Sequence, residues 1–157
     1  MFPMNRLYYL AYMQLKTEKK MKITTDGDCM RPIVNNMDIV EVSIPEKYHI
    51  GDIVLVLVQN RLRLHRIISK DKKGYITKGD HSYMADRRIN SKILGRATIN
   101  NTQKRSLCSS RIRSVFRAKI SKFNSKTYRR YLKAHKCFFR NMFFKLYQMG
   151  DFLLFHS

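Results

Sequence analysis

Acidic residues are scarce in this 157-residue chain, which carries 11 Asp and Glu against 32 Lys and Arg, a formal charge of +21 at pH 7. That excludes an acidic, solvating chain. Glycine and proline number only six and three, which excludes a collagen-like repeat. The three cysteines, Cys29, Cys108 and Cys137, lie far apart with no CxxC pair. They form neither a disulfide framework nor a zinc-ligand pattern, and a reducing compartment suits them. No apolar run approaches the ~20 residues of a membrane-spanning helix. Internal repeats, low-complexity linkers and phosphate-cradling glycine loops are lacking, as are helix-turn-helix and RNA-binding signatures. No residue pattern calls for a metal or a cofactor.

Apolar residues reach 44% and aromatics 11%, enough for a packed core in one domain, or a domain with an appendage. The positive charge favours anionic partners, and it is unevenly spread. Residues 1–102 hold 18 basic and 10 acidic residues, whereas residues 103–157 hold 14 basic residues and one acid, Asp151. The chain accordingly divides into three parts: 1–21, 22–102 and 103–157.

In the first part, Leu7 to Leu15 form a short apolar stretch. It lacks the charge, apolar length and cleavage site of a good signal peptide and reads as a short amphipathic helix. A membrane-peripheral or cytoplasmic location follows as the expectation. The second part reads as strands. Asp38–Val42 alternates, Asp52–Val58 is a continuous apolar run, and Arg61–Ile68 alternates after a Gln-Asn turn. Gly74–Lys78 and Ile93–Ile99 complete the series. Regular spacing with short turns predicts a coiled all-β domain. The third part predicts a helix from Lys126 to Gln148, capped by Ser125 and ended by Gly150. Its aromatic face includes Tyr128, Tyr131, Phe138, Phe139 and Phe143 among basic residues. It reads either as a face packed on the β domain or, over residues 126–155, as an interfacial helix on anionic lipid. Nucleic acid ranks below both.

Three local patterns occur in order. Gly27-Asp28-Cys29-Met30-Arg31-Pro32 comes first, and Gly51-Asp52 then leads into Leu64-His65-Arg66-Ile67-Ile68. Thr77-Lys78-Gly79-Asp80 follows, with Asp86 six residues after Asp80. Over roughly residues 22–99 this series resembles the type I signal peptidase and LexA-like peptidase superfamily. The histidine within His-Arg-Ile-Ile resembles the Ser-His-Asp branch of endoplasmic-reticulum and archaeal signal peptidases. Cys29 stands where that family has serine, and His81 and Ser82 replace two asparagines of its K-G-D-N-N segment.

The resemblance implies a mainly β fold, a coiled and partly open β-barrel-like peptidase domain, with the basic helix as a C-terminal extension. It also implies an endopeptidase that cleaves a leader or signal segment. Cys29 would be the nucleophile, because a thiolate attacks carbonyls well. His65 would be the base, and Asp80, ranked slightly ahead of Asp86, would orient it. Gly27, Asp28, Met30 and Pro32 would shape the substrate and oxyanion side, with the Cys29 N–H as donor. The substrate would be an extended peptide. Two alternatives stay open: an inactive relative that binds extended peptides, and a basic module for lipid or nucleic acid.

Overall fold

The computed structural model describes residues 6–86, 92–99, 111–133 and 137–156, with backbone alone for 137–140 and 154–156. Helix α1 spans Arg6–Glu18 and buries Ala11 and Leu15, four residues apart on one face. Lys19, at φ +60°, ends it in the left-handed conformation common just past a helix. Six strands follow: β1 Lys20–Thr24, β2 Ile39–Ser43, β3 Ile53–Val58, β4 Arg61–Asp71, β5 Gly74–Lys78 and β6 Lys92–Ile99. They form one antiparallel sheet in the order β1-β2-β6-β3-β4-β5.

The sequence pattern marks β2 to β6 correctly and misses β1. β3 is buried at every position, as a continuous apolar run requires when both sheet faces are covered. Gln59 and Asn60, at φ +49° and +61°, form the two-residue turn whose twist matches the flanking strands β3 and β4. On one face, α1 closes a core of Leu15, Met30, Ile33, Val40, Val42 and Leu55. On the other face lies a helical hairpin, α2 (Arg111–Lys133) and α3 (Cys137–His156). The two helices run antiparallel: Asn124 bonds Asp151, while Tyr128 meets Tyr147 and Tyr131 meets Phe144. α2 comes so close to the sheet that a Cβ on Gly51 would lie 2.8 Å from the Ser114 backbone.

Two expectations need correction. The fold is mixed α/β, with more described residues in helix than in strand, and the sheet does not close into a barrel. The C-terminal region is also two helices where one was expected. Ser125 does not cap a helix: it is buried in mid-α2, and its Oγ accepts the Ala85 N–H at 3.0 Å. Gly150 does not end one either. It lies within α3, where the absence of a side chain leaves room for Asn124.

The reason for the second correction is the unusual face that α2 buries. Arg117, Ala118, Ser121, Asn124, Ser125 and Thr127 turn inwards. Ile112, Phe116, Phe123 and Leu132 are exposed, Ile112 by 82%. A small and polar buried stripe leaves no hydrophobic periodicity to read. Among the described residues no helix is long and apolar enough to cross a membrane.

Candidate active site

Cys29 lies in the turns that follow β1. Thr25 Oγ1 donates to the carbonyls of Asn35 and Asp38, and Asp38 Oδ2 accepts the Asn35 N–H at 2.7 Å. These bonds close the segment into a loop. Gly27, at φ +103°, supplies its left-handed step, and its N–H reaches Asn36 Oδ1 at 3.3 Å. Met30 anchors the loop in the core, only 2% exposed. Asp28 pairs with Arg31 on the surface at 2.8 Å, and Pro32 is half-buried. Cys29 itself is half-buried and carries a free thiol.

Successive side chains of β4 point to opposite sheet faces. His65 faces the Cys29 loop, and Arg66 faces the helical hairpin. His65 Nδ1 is 2.6 Å from Asp86 Oδ2. Asp86 comes from beyond β5 but returns to it, its N–H donating to the Thr77 carbonyl at 2.8 Å. The Thr77 hydroxyl donates to the same Asp86 oxygen at 2.5 Å. With Nδ1–H held by Asp86, the lone pair of the imidazole is presented by Nε2. Nε2 is buried with no hydrogen-bond partner among the described residues. The neighbouring Cys29 thiol donates to the Leu64 carbonyl at 3.4 Å.

Burial exerts the largest single influence on the His65 pKa and lowers it. The Asp86 hydrogen bond, the Cys29 sulfur and the charges of both outweigh that effect, and the pKa rises to about 9. The imidazolium is therefore favoured at neutral pH.

The structure thus brings Cys29, His65 and Asp86 together and places Asp80 elsewhere. Asp80 is bound on the opposite face by Arg66, through Nε–Oδ1 at 2.9 Å and an Nη2–Oδ2 contact at 2.7 Å. Arg66 Nη1 also donates to the Gly51 carbonyl at 2.8 Å. The expected order of the two aspartates is therefore reversed: Asp86 orients His65. The fold explains the reversal. β5 ends at Lys78, so Asp80 leaves the sheet on the Arg66 side, and the following turn brings Asp86 back to Thr77.

Sequence reasoning missed Thr77 and Gly79. A Cβ on Gly79 would lie 2.7 Å from the Cys29 carbonyl oxygen, so the glycine permits the two loops to meet. The His81 N–H then donates to that same carbonyl at 2.9 Å. The K-G-D pattern drew attention to this turn, but nothing in it showed which loop the turn would touch.

A groove of about 680 Å³ leads to Cys29. Met21 and Ile23 of β1 line one side, and Arg61, Leu62 and Leu64 of β4 line the other. β1 is an edge strand of the sheet. The first part of β4 also has an open edge, because its pairing with β5 begins only at Arg66. The groove is therefore flanked by two strand edges that are unpaired among the described residues, each able to pair with an extended chain. No family model, curated protein or solved structure matches this chain.

Proposed function

We propose that this protein is an endopeptidase of signal-peptidase-like type that cleaves a leader or signal segment from a peptide or protein. The observation that carries this reading is the convergence of Cys29, His65 and Asp86 at the end of a groove with open strand edges. A substrate lies extended in the groove and pairs with β1 or β4. In the neutral form of His65, which gains population as pH approaches 9, the Cys29 sulfur attacks the scissile carbonyl carbon as its proton passes to Nε2. The Cys29 N–H, which has no hydrogen-bond partner among the described residues, donates to the developing oxyanion. His65 then protonates the leaving amine, and water hydrolyses the thioester to regenerate the thiol. Asp86 holds the ring and balances its charge throughout.

Purified protein incubated with leader-containing peptides is expected to cleave them, with Cys29→Ala inactive and Cys29→Ser still active. Cleavage at an undiminished rate by Cys29→Ala overturns the nucleophile assignment. Peptide binding of equal strength in both proteins, with no cleavage in either, favours an inactive peptide-binding relative.

The same reading places the enzyme against an anionic membrane surface. The support is the apolar ridge that the hairpin exposes, with Ile112, Phe116 and Phe123 on α2 and Met149, Phe152 and Leu153 on α3. Exposed Lys119, Lys126 and Arg130 accompany it on α2. Large apolar side chains interleaved with cations suit the headgroup boundary. The ridge starts well before the 126–155 stretch marked by sequence, and the side chains of Phe138, Phe139, Leu154 and Phe155 lie outside the described residues. Flotation with anionic vesicles, weakened by salt and by Phe116→Ser with Phe123→Ser, is the expected result. Equal flotation with neutral vesicles removes the electrostatic part, and preferential binding of RNA or DNA points to the nucleic-acid alternative.

A further inference from the structure

The segment from Lys78 to Asp86 brings the acid to His65. Arg66 of β4 holds Asp80, the Cys29 carbonyl accepts the His81 N–H, and Thr77 holds Asp86. Further attachments go to the helical hairpin. Lys78 Nζ, fully buried, donates to Ser121 Oγ at 3.1 Å and to the Gly79 carbonyl at 3.2 Å. Tyr83 stacks on Tyr128, with centroids 5.0 Å apart and planes 21° apart, and also meets Tyr147 at 5.8 Å. The Ala85 N–H, next to Asp86, donates to Ser125 Oγ at 3.0 Å. These contacts are spaced along the segment: Lys78, Tyr83 and Ala85 each reach α2, and Tyr83 also reaches α3. They also explain why α2 buries hydroxyl groups where an ordinary surface helix buries leucines.

We propose that the hairpin sets the position of Asp86, with Ser125 and Tyr128 as positioning residues that act on His65 through the 78–86 segment. This rests on the reading of His65 and Asp86 as the catalytic base and its orienting acid. A hydrogen bond of 2.6 Å between His65 and Asp86 weakens steeply with small displacements. Removing the Ser125 hydroxyl leaves the Ala85 N–H without its acceptor, so the residue beside Asp86 is free to shift. The groups that face His65 are Asp86 and the Cys29 sulfur. Arg66, Asp80 and Lys78 form their own contacts towards the opposite face, so a change at His65 reports chiefly on Asp86.

The hairpin then does more than carry basic charge. If it docks on a surface, movement of α2 relative to the sheet is transmitted to the histidine through contacts that already exist.

The test is the pH titration of His65, followed by NMR of histidine-labelled full-length protein, with iodoacetamide alkylation of Cys29 across pH as a second readout. Ser125→Ala is expected to lower the His65 pKa by about one unit as its bond to Asp86 loosens. It should shift the alkylation profile correspondingly, and Ser125→Thr should restore both. In an Asp86→Asn background, Ser125→Ala should add no further shift, because the two residues act through one contact. Tyr128→Leu provides a second route to the same displacement if Ser125→Ala fails to fold. An unchanged His65 titration in a folded Ser125→Ala or Tyr128→Leu protein overturns the proposal. Neither readout requires a peptide substrate. A shifted titration in a protein that cleaves no leader peptide therefore keeps the positioning role and rejects the peptidase.

Discussion

His65 and Arg66 are neighbours on β4, and each holds a carboxylate from the same short segment, yet the two sites are built differently. Arg66 is fully buried and bound to both oxygens of Asp80, with a further bond to the Gly51 carbonyl. Arginine keeps its charge at any ordinary pH, so that pair is fixed. His65 meets Asp86 through one nitrogen, and its other nitrogen, beside a thiol, has no hydrogen-bond partner among the described residues. A group that can gain and lose a proton is thus exposed to chemistry on one face of the sheet, while a permanent charge locks the other. On the proposed peptidase reading, catalysis and stability are separated within two consecutive residues.

The largest effects should come from deleting the two side chains in turn. Arg66→Ala should destabilise the protein by about 3–5 kcal/mol, because Asp80 is left buried without its partner. Chemical denaturation measures this. His65→Ala should cost far less stability but lower peptide cleavage by about 10³-fold or more. Similar losses of stability in both variants would erase the distinction. The aspartates provide a finer comparison. Asp86→Asn should lower the His65 pKa from about 9 towards its ordinary value and cut cleavage by about 10²-fold. Asp80→Asn should lower the melting temperature while leaving the His65 titration in place. A His65 pKa that follows Asp80 would reverse the assignment.

The smallest effect is a pH dependence of stability. A raised histidine pKa stabilises the fold fully below about 6.5, and that contribution is lost as pH rises through about 9. Lys78, on the opposite face, is pulled down to about 8 by burial, partly offset by Asp80, Asp151 and Asp86. Its burial cost is full below about 8 and is relieved as pH approaches 10.5. Between pH 6.5 and 8 the histidine should dominate, and stability should fall by about 1.4 kcal/mol per pH unit at most. Denaturation across that window should show the decline in the wild type and a flatter curve in Asp86→Asn. A wild-type stability that stays level would count against the His65–Asp86 contact.

The fold was legible where side-chain alternation reports burial. β3 shows itself as an unbroken apolar run and β4 as an alternating one. β1 escaped because Lys20-Met21-Lys22-Ile23-Thr24 offers only two apolar residues between lysines at a sheet edge. The helical hairpin was half legible: its helicity was clear in the Tyr128–Leu146 stretch, but α2 faces the sheet with serines, Asn124 and Arg117. Ser125 carried a capping signal and Gly150 a stopping signal, and tertiary contacts override both. Cys29 and His65 could be singled out in one dimension from their local patterns. The choice between Asp80 and Asp86 could not, because it depends on which side of the sheet a turn leaves and re-enters.

On the proposed peptidase reading, the edge of β4 from Arg61 to His65 that faces away from β3 and that no described strand pairs also acts as a ruler. At 3.4 Å per residue, five strand positions measure about 17 Å from the β3–β4 turn to the base. A substrate that uses this edge fully would present about five extended residues on one side of its scissile bond. Shorter peptides would forfeit ladder bonds one by one. A proline at a position whose N–H should face the edge would be read as a missing rung, whatever its side chain offered to the groove.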